Sequence, residues 1–221
     1  MSVFIEVWHR VFPLTPEAYE RFATYYGDWV VNANRDTLDV VGGWRYTNGD
    51  SNTDVALYRY PSISAIEQTL AAFGADDGYI QATEVLFEDI ELEEVRSISA
   101  SLPFSSDERI EWALKGEPRT LRRYVRVARS LPAVDRPRAY DALERLVEAR
   151  EKAGSERLVV ATETVIGNVM QCNEIWVLPE GVEALERNPP NVEADVLRAV
   201  DELVPEVTRD SLEPLPYSRL R

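Results

Sequence analysis

Apolar and polar positions alternate along Val3–Phe12, and the segment is rich in β-branched and aromatic residues, which predicts a strand. Thr15-Pro16-Glu17 then gives a helix start: a hydroxyl for the N-cap, proline at the first turn and an acid beside it. Tyr19, Phe22, Ala23, Tyr26, Val30 and Ala33 follow at helical spacing. Leu38–Tyr46 predicts a second strand, Thr47-Asn48-Gly49-Asp50 a hairpin turn, and Asp54–Tyr60 a third strand closed by Pro61. A helix is expected over Ser64–Phe73, continued by Gln81–Phe87 after the Gly74–Gly78 break, and a fourth strand over Ile90–Ser101.

The pattern then repeats. Pro16-Glu17-Ala18-Tyr19-Glu20-Arg21-Phe22 matches Pro137-Arg138-Ala139-Tyr140-Asp141-Ala142-Leu143 at an offset of 121 residues. Val55-Ala56-Leu57-Tyr58-Arg59-Tyr60-Pro61 matches Asn173-Glu174-Ile175-Trp176-Val177-Leu178-Pro179 at an offset of 118. Two matches in the same order at nearly constant spacing indicate a duplication. In the second copy Leu121–Arg129 is a strand, Asp135 caps a helix running to Lys152, and Leu158–Val165 and Val169–Leu178 form a hairpin about Ile166-Gly167-Asn168. A helix over Val192–Leu203 and an extended stretch over Val207–Leu215 complete it. The chain divides into residues 1–103, a linker 104–118 with a short helix around Arg109–Lys115, and residues 119–221. Each half reads βαββαβ, the ferredoxin-like unit, so the fold class is α+β. A sheet with helices on one face leaves its other face bare, and two such sheets can pack those faces together.

At this point the chain resembles the dimeric α/β-barrel superfamily with both halves fused. The nearest resemblance is to NIPSNAP-like proteins and antibiotic-biosynthesis monooxygenases. It is carried by Phe4–Arg10, Thr15–Asn34, Gly43-Trp44-Arg45-Tyr46 and Leu57-Tyr58-Arg59-Tyr60. The superfamily includes cofactor-free monooxygenases, cyclases, isomerases, stress proteins and haem-dependent enzymes, so the resemblance implies a fold and leaves the chemistry open.

Charge narrows the partners. Of a net −15, residues 1–118 carry −13, with 8 Lys+Arg against 21 Asp+Glu. Such a surface repels phosphate backbones and anionic lipid, which disfavours nucleic acid and membranes as partners. Cys172 is the only cysteine, which excludes an internal disulfide and a cysteine zinc site. The N-terminus has no basic stretch before an apolar run, and no run of about 18 apolar residues occurs, so a cytoplasmic protein is expected. With one histidine and no carboxylate cluster at calcium-loop spacing, no metal and no cofactor are expected. A fused duplicate already contains both halves of a barrel, so monomer and homodimer are both open.

His9, the only histidine, is the first candidate acid or base, although alternation places it with Val7 and Val11 on the helix-covered face. Glu6, Trp8 and Arg10 take the opposite face, toward an inter-sheet cavity. On the third strand Val55 and Leu57 are assigned to the helix side, leaving Ala56, Tyr58 and Tyr60 inward. The repeat carries that phase to Glu174 and Trp176, with Cys172 one step earlier. Trp44 and Tyr46 complete an aromatic lining. Glu6, His9, Arg10 and Glu174 are thus the candidate catalytic residues, and Trp8, Trp44, Tyr46, Tyr58, Tyr60 and Trp176 the candidate substrate contacts. Aromatic walls with a few convergent polar groups describe a small-molecule site. The favoured reading is a cofactor-independent enzyme of bacterial specialised metabolism that cyclises, isomerises or oxygenates an aromatic or polyketide-like substrate by acid–base chemistry. The alternative is a non-catalytic small-molecule-binding or oligomerising protein. Convergence of Glu6, Arg10 and Glu174 on one cavity would distinguish the two.

Overall fold

The computed structural model describes residues 2–32, 38–48, 52–115, 122–154, 156–178 and 192–220. The first half runs β1 (Val3–Phe12), α1 (Pro16–Tyr25), a π-helical segment (Tyr26–Asn32), β2 (Asp39–Tyr46), β3 (Thr53–Tyr60), α2 (Ile63–Gly74), α3 (Asp77–Phe87) and β4 (Glu91–Ser101). After α4 (Asp107–Lys115) the second half runs β5 (Arg123–Ser130), α5 (Arg136–Ala153), β6 (Arg157–Ile166), β7 (Gln171–Leu178), α6 (Ala194–Leu203) and β8 (Glu206–Pro214). The expected turn residues Gly49 and Asp50, the strand start Leu121 and the expected boundary between residues 118 and 119 lie outside the described residues.

Local chemistry sets the helix starts. Thr15 Oγ1 and Ser62 Oγ accept hydrogen bonds from the backbone N–H of Ala18 and Ala65, and Asp76 Oδ1 accepts from Gly78 and Tyr79. Asp135 precedes α5 with φ 62° and makes no such bond; its carboxylate pairs with Arg138 instead.

Each half is an antiparallel four-stranded sheet, in the orders β4-β1-β3-β2 and β6-β7-β5-β8. The edges join through β4–β6 and β2–β8, so the two sheets form one closed eight-stranded barrel with no free edge. Closure buries both faces of the strands. Phe4, Trp44, Val55, Leu57, Tyr124, Ile175 and Val177 pack inside the barrel, and α4 adds Ile110 and Ala113 to that cluster. A second cluster, with Ile5, Val7, Phe22, Tyr58 and Ile66, lies between the first sheet and its helices. A third, with Val125, Val127, Leu143, Leu146 and Trp176, lies under α5 and α6. Among the described residues no helix is long and apolar enough to cross a membrane.

Candidate functional site

The register of β1 against β3 decides which side chains meet. His9 lies opposite Asp54, Val7 opposite Ala56 and Ile5 opposite Tyr58, so these six share the helix-covered face. Ala56, Tyr58 and Tyr60 therefore face outward toward the helices, and Val55 and Leu57 face inward, the reverse of the expected phase. On β7 the same inversion holds. Cys172 and Trp176 pack under α5 and α6, Glu174 lies on the same face, and Ile175 and Val177 take the barrel interior. Both strands carry apolar residues on both faces, so alternation alone could not choose between them.

Glu6, Arg10 and Glu174 consequently do not converge, and the enzyme reading loses the warrant these three residues gave it. Glu6, inside the barrel, is neutralised by Arg126, whose Nη2 lies 2.7 Å from Glu6 Oε1 and 2.9 Å from Asn173 Oδ1. Tyr46 adjoins this pair, and Trp44 packs against Tyr124 in the interior, both facing as expected. Trp8 and Arg10 share the Glu6 face of β1, and the Arg10 guanidinium lies 5.2 Å from the Phe12 ring. Glu174 is held on the helix-covered face of the second sheet by Arg129 Nε at 2.9 Å and the Trp176 indole N–H at 2.8 Å. Both acids are thus paired and hydrogen-bonded, as buried polar groups require.

The residues that do converge surround His9. Its ring is fully buried, edge-on to Phe22 at 5.0 Å and to Tyr26 at 4.8 Å. Nδ1 lies 2.7 Å from Asp54 Oδ1, and Tyr19 donates its hydroxyl to Asp54 Oδ2 at 3.0 Å. On the other side Nε2 faces Glu94 Oε2 at 3.3 Å, an ion pair without good hydrogen-bond alignment. Glu94 Oε1 in turn pairs with Arg96 Nε at 2.6 Å. Burial alone would lower the His9 pKa, but Asp54 and Glu94 outweigh it and raise it to about 9, so His9 is an imidazolium at neutral pH. Burial pushes the Glu94 carboxyl up, yet His9 and Arg96 together hold it below its ordinary value.

Glu94 and Arg96 open onto a cavity of about 510 Å³ between the first sheet and α1–α3. Its walls are aromatic: Phe22, Tyr25, Tyr26, Tyr58, Tyr60, Phe73, Tyr79 and Phe87 contribute, with Ile5, Val7 and Leu92 on the sheet side. Tyr26 and Tyr58 join their hydroxyls in a short hydrogen bond, and burial holds both phenols well above their ordinary pKa, so one hydroxyl donates to the other and the pair keeps one further proton to donate. Behind Tyr26 lies Tyr217, from the chain after β8, with ring centroids 5.5 Å apart. Gly43 makes that approach possible, since a Cβ there would sit 2.3 Å from Tyr217 Cε2. The Gly42-Gly43 pair also marks the β-bulge between Val40 and Gly42.

Tyr19, Tyr26, Asp54, Glu94 and Arg96 were not singled out by the sequence. Asp54 gains its meaning from its register opposite His9, and Glu94 is one acid within a run of five in Glu88–Glu94. The haem-dependent proteins of the superfamily that the sequence resembles pose a direct question of fit. With Nδ1 bonded to Asp54 and Nε2 turned to Glu94, neither His9 nitrogen is open to iron, so the site does not suit an axial histidine.

No protein-family model matches the chain, and no curated protein sequence matches it. Solved structures do. A candidate monooxygenase of Fusobacterium nucleatum superposes with a TM-score of 0.65 at 13% identity, covering 97% of this chain and 92% of the other. A candidate monooxygenase of Lactobacillus acidophilus gives 0.57 at 11% identity, covering 96% and 92%. A chlorite dismutase variant of Candidatus Nitrospira defluvii gives 0.56 at 10% identity, covering 98% and 92%. A NIPSNAP domain protein of Burkholderia xenovorans matches 48% of this chain with a TM-score of 0.41. The near-complete coverage by the first three establishes the dimeric α/β-barrel fold over both halves.

Proposed function

We propose that this protein is a small-molecule enzyme that works by acid–base chemistry without a cofactor, in the helix-covered cavity of the first half. The observation that carries the reading is one ionised carboxylate, Glu94, opening onto an aromatic cavity while a buried imidazolium holds it from behind. Glu94 takes a proton from the substrate, and the Tyr26–Tyr58 hydroxyl pair donates to the oxygen where negative charge develops. Return of the proton to a different atom gives isomerisation, and attack by the enolate on a second carbonyl gives cyclisation. A carboxylate whose pKa is lowered is a weak base, so it suits acidic protons, such as those of phenols and of carbons between two carbonyls. These features belong to aromatic and polyketide-like molecules. Cofactor-free oxygenation of such an enolate or phenolate is the close variant of the same first step.

The test is solvent-deuterium exchange into a panel of aromatic ketones and diketones, followed by NMR. Wild-type protein should accelerate exchange, and Glu94→Gln should lower the rate by about 10²–10⁴-fold with its fold unchanged. Leu70→Trp, at the cavity lining, should block it as well. Undiminished exchange in Glu94→Gln would sink the reading.

A further inference from the structure

The charges at the cavity are not equivalent once their partners are counted. Both Glu94 oxygens are engaged, Oε1 by Arg96 Nε at 2.6 Å and Oε2 by His9 Nε2 at 3.3 Å. Arg96 commits only its Nε. Its two terminal nitrogens have no hydrogen-bond or ion-pair partner among the described residues, and its side chain is 52% exposed where it lines the cavity. Tyr26, Tyr60 and Tyr79 line the same cavity as Arg96. A guanidinium fixed at Nε presents its remaining N–H groups as a planar fork, the geometry that binds a carboxylate.

We infer that Arg96 anchors an anionic group of the substrate, and that the substrate class is an aromatic acid: a flat apolar body bearing a carboxylate. This rests on the reading of the cavity as the active site. The body lies among the aromatic rings, and the carboxylate meets Arg96 at the lining. A cationic ligand is disfavoured here, because Glu94, the one carboxylate of the lining, already has two cationic neighbours, His9 and Arg96. His9 shares its charge between Asp54 at 2.7 Å and Glu94 at 3.3 Å, so what Arg96 offers the ligand is its two uncommitted terminal nitrogens. The acidic surface of the first half acts at longer range and is screened within about 10 Å at ordinary salt, so the contact at Arg96 decides. Behind Glu94 the contacts form a chain: Tyr19 holds Asp54, Asp54 holds His9, and His9 holds Glu94.

The test uses pairs that differ only in charge: benzoate, 2-naphthoate and anthracene-2-carboxylate, each beside its neutral amide. His9 is the only histidine, so its imidazole resonances report cavity occupancy without turnover. At least one acid should bind roughly tenfold or more tightly than its amide. Arg96→Gln should erase that preference by weakening the acid far more than the amide, and Arg96→Lys should restore part of it. Equal affinity for acid and amide, or a preference that survives in Arg96→Gln, overturns the anchor and leaves the cavity reading standing. Failure of every acid and every amide to bind overturns both.

Discussion

His9 in the first half and Arg129 in the second hold the same place in the duplicated fold. Asp54, opposite His9, corresponds through the repeat to Cys172, and Cys172 lies opposite Arg129. From this shared position the halves diverge. Arg129 is 2% exposed and pairs directly with Glu174, which is 1% exposed and accepts a further bond from Trp176. The guanidinium, the carboxylate and the indole fill the space beneath α5 and α6, so this half commits its polar residues to each other. In the first half Tyr58 stands where Trp176 does, Ala56 where Glu174 does, and Tyr26 where the repeat places Val147. His9 there reaches only as far as Asp54 and Glu94, and the space left over is the aromatic cavity. The two halves offer equivalent platforms; one is filled by packed side chains, the other keeps a cavity.

That contrast can be broken from either side. The largest effect belongs to the packed half: Glu174→Ala leaves the buried Arg129 with only the long contacts to Glu206 at 3.7 Å and the Val204 carbonyl at 3.4 Å, and should cost about 3–5 kcal/mol in denaturant unfolding. Binding of 2-naphthoate per folded molecule should be unchanged, and a parallel loss of binding would show that the halves are not independent. Next is His9→Gln, read through pH. The folded pKa of His9, about 9, lies above its unfolded value of 6.5, so its stabilisation is complete below about 6.5 and is lost as pH rises through 9. The wild type should therefore shed roughly 3 kcal/mol more than His9→Gln across that window, and equal slopes would remove the imidazolium from the account.

Smaller still is the exchange of one residue between halves. Tyr58→Trp puts the second half's residue at the cavity wall and should destabilise by about 1–3 kcal/mol while abolishing ligand binding. Retained binding would mean that this ring does not set the cavity's boundary. The smallest effect is expected for Arg21→Ala, which removes the exposed pair between α1 and Asp89 beyond α3. A change within about 1 kcal/mol, measured thermally, is the outcome for a solvent-screened pair. A larger one would show that the cover of the cavity depends on it.

The element order was legible because its causes are local. Thr15 before Pro16, the Ser62 hydroxyl before α2, the apolar spacing of Tyr19, Phe22 and Tyr26, and the duplication itself are all written along the chain. His9 was legible as a singular residue on the helix-covered face, and Trp44 and Tyr46 as inward residues. Glu174 was legible as a candidate acid; its face was not.

What the tertiary structure alone decided is which side of each strand meets which neighbour. On β1 the faces differ in polarity: Val3, Ile5, Val7 and Val11 share one, while Glu6 and Arg10 mark the other, so alternation orients the strand by itself. On β3, Val55 and Leu57 compete with Ala56, Tyr58 and Tyr60, and a closed barrel buries both sets. Only pairing with β1 settles the phase, and it carries Asp54 to His9 and Tyr58 to the cavity. Glu94 reaches His9 in the same way, across the β1–β4 register from a distant part of the chain. Hydrophobic periodicity specifies how strongly a face favours burial; where two faces favour it equally, the choice belongs to long-range strand pairing.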